Sequence, residues 1–374
     1  MSVEFQLLCQ AHQPDKLAQL LNQTIAWQTV LKLTDRHRVA PQLYQSLKNN
    51  NLIPNPIRQA LRTRYEKNTL RAMRNLVTIQ TLLQSFTQHN IPCIVLKGIG
   101  LALQLYGNIG ARHAGDIDLL IDPQHLRHVD TLLQQQGYQR IQPAFSLTEA
   151  QFLKIQQLWN QFEYYHPQGQ CYLDIHWRLS YNHHLCPIPF NELYQQHQTI
   201  YVQTQALPVL APLHNLLYLS AHGSQHVWGC LFWLWDIATL LQQTTFDWDK
   251  VITNAQHIGC LPSLIQGIHL AHHLLNSPLP DTLPPYQQQT RYKRLQQAGE
   301  RYLQLPIPIP LRTVLWQRFY YDLQLNSSWA YRRELLQHIF LHPHDWQALP
   351  LPPVLFPLYY VIGSILWLKR QLIK

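Results

Sequence analysis

Residues 94–122, IVLKGIGLALQLYGNIGARHAGDIDLLID, decide how this chain is read. The run opens as an apolar strand, turns at Lys97-Gly98, and continues as a short helix through Tyr106. It then passes Arg112 and closes on a second strand carrying Asp116 and Asp118. Side chains two apart on a strand face the same way, so both carboxylates share a face while Ile117 points to the core behind them. At strand rise their Cα atoms stand roughly 6.6 Å apart. Like charges at that separation repel by about 2.5 kcal/mol at an effective dielectric of ~20. A divalent cation removes that repulsion, and hard cations select carboxylate oxygens. The stretch therefore predicts half of a magnesium site beside a phosphate-binding turn. Each fragment alone is weak: D-x-D is common at solvated strand ends, and a Gly after a strand is ordinarily just a turn. The order strand, Lys-Gly, helix, Arg, D-I-D, strand carries the reading.

On these residues the chain resembles the DNA polymerase β-type nucleotidyltransferase superfamily. Within it, the chain is similar to the bacterial family of uncharacterised nucleotidyltransferases. The matching residues are Leu96-Lys97-Gly98, Leu101-Ala102, Leu105-Tyr106, Arg112, Asp116 to Leu120, and Gly137-Tyr138. Abortive-infection nucleotidyltransferase toxins have a similar turn and strand, but Ile99 and Gly100 stand here where Gly-Ser or Gly-Gly-Thr is usual. The hydroxyl often used on a phosphate is therefore missing. The resemblance implies a third carboxylate on a neighbouring strand. Asp174, in Cys171-Tyr-Leu-Asp-Ile-His-Trp177, resembles the family's L-D-x-H-W segment. The bland alternative is a strand-edge Asp paired with Arg178 or His176, with Glu163 then the substitute carboxylate. Asp116, Asp118 and Asp174 are thus expected to be the catalytic and metal-holding residues, with Mg2+ or Mn2+ as cofactor. Lys97, Gly98 and Arg112 are expected to bind the nucleotide, an NTP such as ATP, through its phosphates.

The rest of the chain fits that expectation. At 374 residues the length prior is about two to three domains. The 46% apolar content supports a real core. A net charge of +9 suits an anionic substrate without choosing among nucleotide, nucleic acid and membrane. Six cysteines show no C-x-x-C spacing, and the N-terminus lacks a basic start and a cleavable apolar run. A reduced, cytoplasmic protein without thiolate zinc is the simplest reading.

The fold class expected is α+β: a small mixed-sheet palm between helical regions. Residues 1–90 form a helical N-terminal region, 91–207 the α/β core, 208–345 a helical C-terminal domain, and 346–374 an apolar terminal helix. The palm is expected to have three to five strands, including ones near Tyr164, Leu173 and Tyr201-Val202, with residues 141–160 a helix or insert. Arg64, Lys67, Arg71 and Arg74 fall on one helical face. That face is read as solvated, with nucleic-acid attraction the alternative. His222 and His226 share a helix face, but Gly223 stands where a zinc protease needs Glu, so they and Asp236 are read as mostly structural. Val354 to Leu368 is too short to span a membrane and is read as a packed terminal helix, with peripheral membrane contact the alternative.

The function expected is transfer of a nucleoside monophosphate from an NTP to an acceptor hydroxyl or phosphate. The acceptor is left open among small molecule, peptide, protein and RNA. The alternatives are an idle nucleotidyltransferase fold that binds a nucleotide or partner, and a helical RNA-binding protein.

Overall fold

The computed structural model describes residues 1–305, 311–341, 343–349 and 351–363. Seven strands form one mixed sheet: β1 Cys93–Val95, β2 Ile117–Ile121, β3 Gln139–Gln142, β4 Gln161–His166, β5 Cys171–His176, β6 Gln198–Val202 and β7 Gln205–Val209. Their order is β3-β4-β5-β2-β1-β7-β6. β2 runs parallel to β5, and β1 parallel to β7; the other neighbours are antiparallel. The architecture is α+β, with helices before and after the sheet.

The sheet has more strands than the expected three to five, for physical reasons. β3 (QRIQ) is an edge strand with no buried residue. β7 contains Pro208, which removes a backbone donor and argues against an interior strand. It is tolerated because β7 meets β1 only at Val95↔Val209. Residues 149–158 form the helix Glu149–Leu158, opened by a reciprocal capping box between Thr148 and Gln151.

β2 is buried along its whole length, so it lies at the sheet centre and carries Asp118 into the interior. The helix Gly98–Tyr106 packs at its back. A Cβ on Gly100 would lie 2.9 Å from Val209 and 3.1 Å from Val95. Helix and sheet approach too closely there for a Ser or Thr, which accounts for the missing hydroxyl.

The 34-residue helix Asn55–Gln88 crosses the molecule, with Pro54 at its cap and Pro56 in its first turn. Both positions suit proline, whose missing N–H would be unpaired in the first turn. Asn68 donates to the carbonyls of Gly110 and Arg112 and accepts from the Ala114 amide. Asn75 donates to the Gly115 carbonyl. One face of this helix thus holds the loop leading into β2.

Buried apolar residues form two clusters. One joins the first helices, including Leu7, Leu8 and Leu43, with the helices after residue 210, including Trp228, Ile265 and Ile268. The other cluster lies on the sheet and takes in Leu341, Trp346 and Tyr359 from the C-terminal part. The terminal helix expected over 354–368 is only partly described. Pro353–Leu358 is a 3-10 turn, and Tyr359 packs against Phe356 and Trp346 at centroid distances of 5.5 and 6.2 Å. Val354 and Val361 are exposed, and residues 364–374 lie outside the described residues. Among the described residues, no helix is long and apolar enough to cross a membrane.

Candidate active site

The parallel register of β2 on β5 sets Asp118 directly beside Asp174. The antiparallel register of β5 on β4 sets Asp174 beside Glu163. Asp116 stands one residue before β2, at the exposed mouth, and lines a cavity of about 290 Å³ together with Asp118. It also lines a second cavity, of about 650 Å³, with Asp174 and Glu163. The structure therefore gathers all three expected carboxylates, and adds Glu163 as a fourth.

Their electrostatics differ. Burial alone would raise the proton affinity of Asp118, but the Lys97 ammonium and the His176 ring outweigh it and hold the group below the ordinary carboxylate range. Lys97 Nζ lies 2.9 Å from Asp118 Oδ1, and His176 Nε2 lies 3.0 Å from the same oxygen. Burial works against the Lys97 charge, and the carboxylates beside it more than restore it. Burial favours neutral His176. Asp174 is pushed well above the ordinary range, first by burial and then by Asp118, Asp116 and Glu163. Its partner is Gln161, which donates to Oδ2 at 2.9 Å. Arg178, the alternative partner, instead donates to the carbonyls of Gln156, Gln157 and Trp159. Asp116 is raised by Asp118 first and burial second.

This surplus of carboxylate fits a hard divalent cation. The donors are oxygens, and two of the groups resist ionising, Asp174 chiefly through burial and Asp116 chiefly through Asp118. Asp118, Asp174 and His176 offer donor atoms within 4.8 Å of one another. Sequence reasoning leaves His176 out of the metal set because only the strand register brings it to Asp118.

The phosphate side is built around the turn. Gly98 has φ +54, a conformation that favours glycine, and opens the helix Gly98–Tyr106. That helix start borders the first cavity, and helix starts are ready anion sites. Lys97, Gly98 and Arg112 all line it. Arg112, however, is buried against Asp236, with Nε 3.0 Å from both carboxylate oxygens and Nη2 2.9 Å from Oδ2. Tyr106 also donates to Asp236. Asp236 therefore acts on the site by fixing Arg112 and countering much of its charge.

Arg38 is a lining residue that sequence reasoning misses. It lines both cavities, is exposed, and caps the helix Trp27–His37 in the left-handed region at φ 58. That conformation is uncommon for a residue with a side chain. Its sequence signal is its place in the stretch Asp35 to Tyr44, which resembles the family's N-terminal helical part. His222 and His226 also face the first cavity, with ring centroids 4.7 Å apart and Trp233 against both. Burial, then Lys97, lowers both rings' proton affinity, so they are neutral near pH 7. Among the described residues, no third metal-binding side chain gathers with them.

On the basic face, Lys67, Arg71 and Arg74 are exposed, as the solvated reading expects. Arg64 is paired with Asp35, whereas Arg71 lines the 650 Å³ cavity with Asp174.

One solved structure similar to this chain is the lincosamide antibiotic adenylyltransferase LnuA bound to lincomycin. The identity is 20% and the TM-score 0.30, over 46% of this chain and 96% of that one. No curated protein matches the chain. The family model described as uncharacterised nucleotidyltransferase matches residues 23–276, a span that holds the turn, all four carboxylates and the histidine pair. The chain belongs to the uncharacterised nucleotidyltransferase family.

Proposed function

We propose that this protein transfers a nucleoside monophosphate from an NTP to an acceptor hydroxyl or phosphate, using Mg2+ or Mn2+. The observation that supports this reading best is the side-by-side placement of Asp118 and Asp174, with Asp116 at the mouth and Lys97 in contact with Asp118. Asp116, Asp118 and Asp174 would hold the cation. The chemistry it supplies when bound is charge neutralisation on the polyphosphate and acidification of the acceptor.

The chain's own residues do the rest. Lys97, the Gly98 amide and Arg38 receive the β- and γ-phosphates from the first cavity. Arg112, held by Asp236, adds a fixed donor at its floor. The acceptor oxygen attacks the α-phosphorus, the bond from that phosphorus to the bridging oxygen breaks, and pyrophosphate leaves. Asp174, ionised once the cation is bound, takes the acceptor's proton. Six free cysteines, five of them buried, fit a reducing cytoplasm.

Calorimetry with ATP and Mg2+ tests the reading. Wild-type protein should bind ATP in a metal-dependent way, and Asp118→Asn should lose that dependence. Metal-independent binding would instead favour an idle nucleotide-binding fold, and no binding would remove the nucleotide altogether.

A further inference from the structure

Three cavities run along the front of the sheet. The 650 Å³ cavity shares Arg38, His113, Gly115 and Asp116 with the one at Lys97. On its other side it shares Arg71, Asn75 and Gln170 with a third cavity of about 340 Å³. That third cavity is walled by Lys67, Arg71 and Arg74 on the helix Asn55–Gln88, and by the β4–β5 turn at Gly169-Gln170.

These three cations are exposed and stand on successive helical turns. Ion pairs occupy Arg62 and Arg64 of the same helix, but among the described residues none takes up Lys67, Arg71 or Arg74. Arg71 donates to the Ala114 carbonyl, which orients its guanidinium without neutralising it. Like charges at such spacings repel. The face beside them is rigid, since Asn68 and Asn75 tie the helix to the loop that ends at Asp116. The stretch of helix that carries the cations therefore keeps a fixed position relative to the carboxylates. Between the two lie Tyr172, 56% exposed, and Ile141, 37% exposed.

Resting on the nucleotidyl-transfer reading, we propose that these residues form the acceptor's subsite, and that the acceptor carries a phosphate. The phosphate sits on Lys67, Arg71 and Arg74: the paired guanidinium donors of the two arginines match its oxygens, and the Lys67 ammonium adds a point charge. The body of the acceptor lies against Tyr172 and Ile141, and its hydroxyl reaches Asp174. The acceptor thus enters from the side opposite Lys97, as in-line displacement requires.

The test titrates uridine 5′-monophosphate and uridine into full-length protein already saturated with Mg2+ and a non-hydrolysable ATP analogue. The monophosphate should bind at least tenfold more tightly than uridine. Arg71→Gln with Arg74→Gln should erase the difference, and Lys67→Gln should reduce it. All three side chains are exposed, so the variants should fold, which circular dichroism checks. Equal binding of the two probes, undetectable monophosphate binding at millimolar concentration, or a difference kept in the double variant would each overturn the subsite alone. Failure of the ATP analogue to bind would remove the nucleotidyl-transfer reading, and this subsite with it.

Discussion

Asp118 already has its charge answered by Lys97, whereas Asp116 and Asp174 do not. That contrast gives a pH prediction. An acid whose folded-state proton affinity is raised favours folding in its protonated form. Its presence therefore lowers stability as pH rises above the ordinary carboxylate range towards the folded value. A cation bound to the ionised groups offsets the loss. The rise in melting temperature given by millimolar Mn2+ should grow between about pH 5 and about pH 8, and grow less in Asp174→Asn. A rise that does not change with pH would show that these carboxylates do not hold the metal. The D-I-D pair is legible in the sequence because it depends on a two-residue period alone. The places of Glu163, His176 and Arg38 in the site are not, because each arrives through a register or a helix end that no local pattern specifies.

Two elements meet at Trp228, which is fully buried between the helices Pro212–Gln225 and Leu261–Leu275. A Cβ on Gly223 would lie 2.4 Å from its ring, and one on Gly267 2.8 Å. Gly223→Ala should therefore lower stability by about 1–3 kcal/mol in urea unfolding, since overpacking forces the ring or the helix to move. It should also weaken nucleotide binding, because His222 and His226 flank that contact. In sequence Gly223 reads only as an absent glutamate; its packing role needs the second helix. The Arg112–Asp236 pair joins the loop before β2 to the helix Leu231–Gln243. Asp236→Ala should cost about 3–5 kcal/mol, by leaving a buried guanidinium without its partner. A stability change below about 1 kcal/mol would show that water reaches Arg112 instead.

At the scale of the whole molecule, the first helices and those after residue 210 share one core, and the sheet has another. Helical periodicity reveals the helices but not this closure, since an apolar stripe does not say which stripe it meets. The C-terminal part is similarly ambiguous: its apolar composition does not distinguish Trp346 and Tyr359, both buried on the sheet core, from the exposed Val354 and Val361. Removing residues 343–374 should lower the melting temperature by several degrees and increase binding of a hydrophobic dye. An unchanged melting temperature would show that this segment adds nothing to the sheet core.

The Lys97–Asp118 contact has a further consequence. The lysine is a resident stand-in for the missing positive charge, so the site stays assembled before any substrate arrives. On the nucleotidyl-transfer reading, a cation entering alone would have to displace that ammonium from Asp118. A cation entering with a polyphosphate brings the ammonium its next partner. On that reading the pair would work as an interlock, in which metal and nucleotide are admitted together more readily than either is admitted alone.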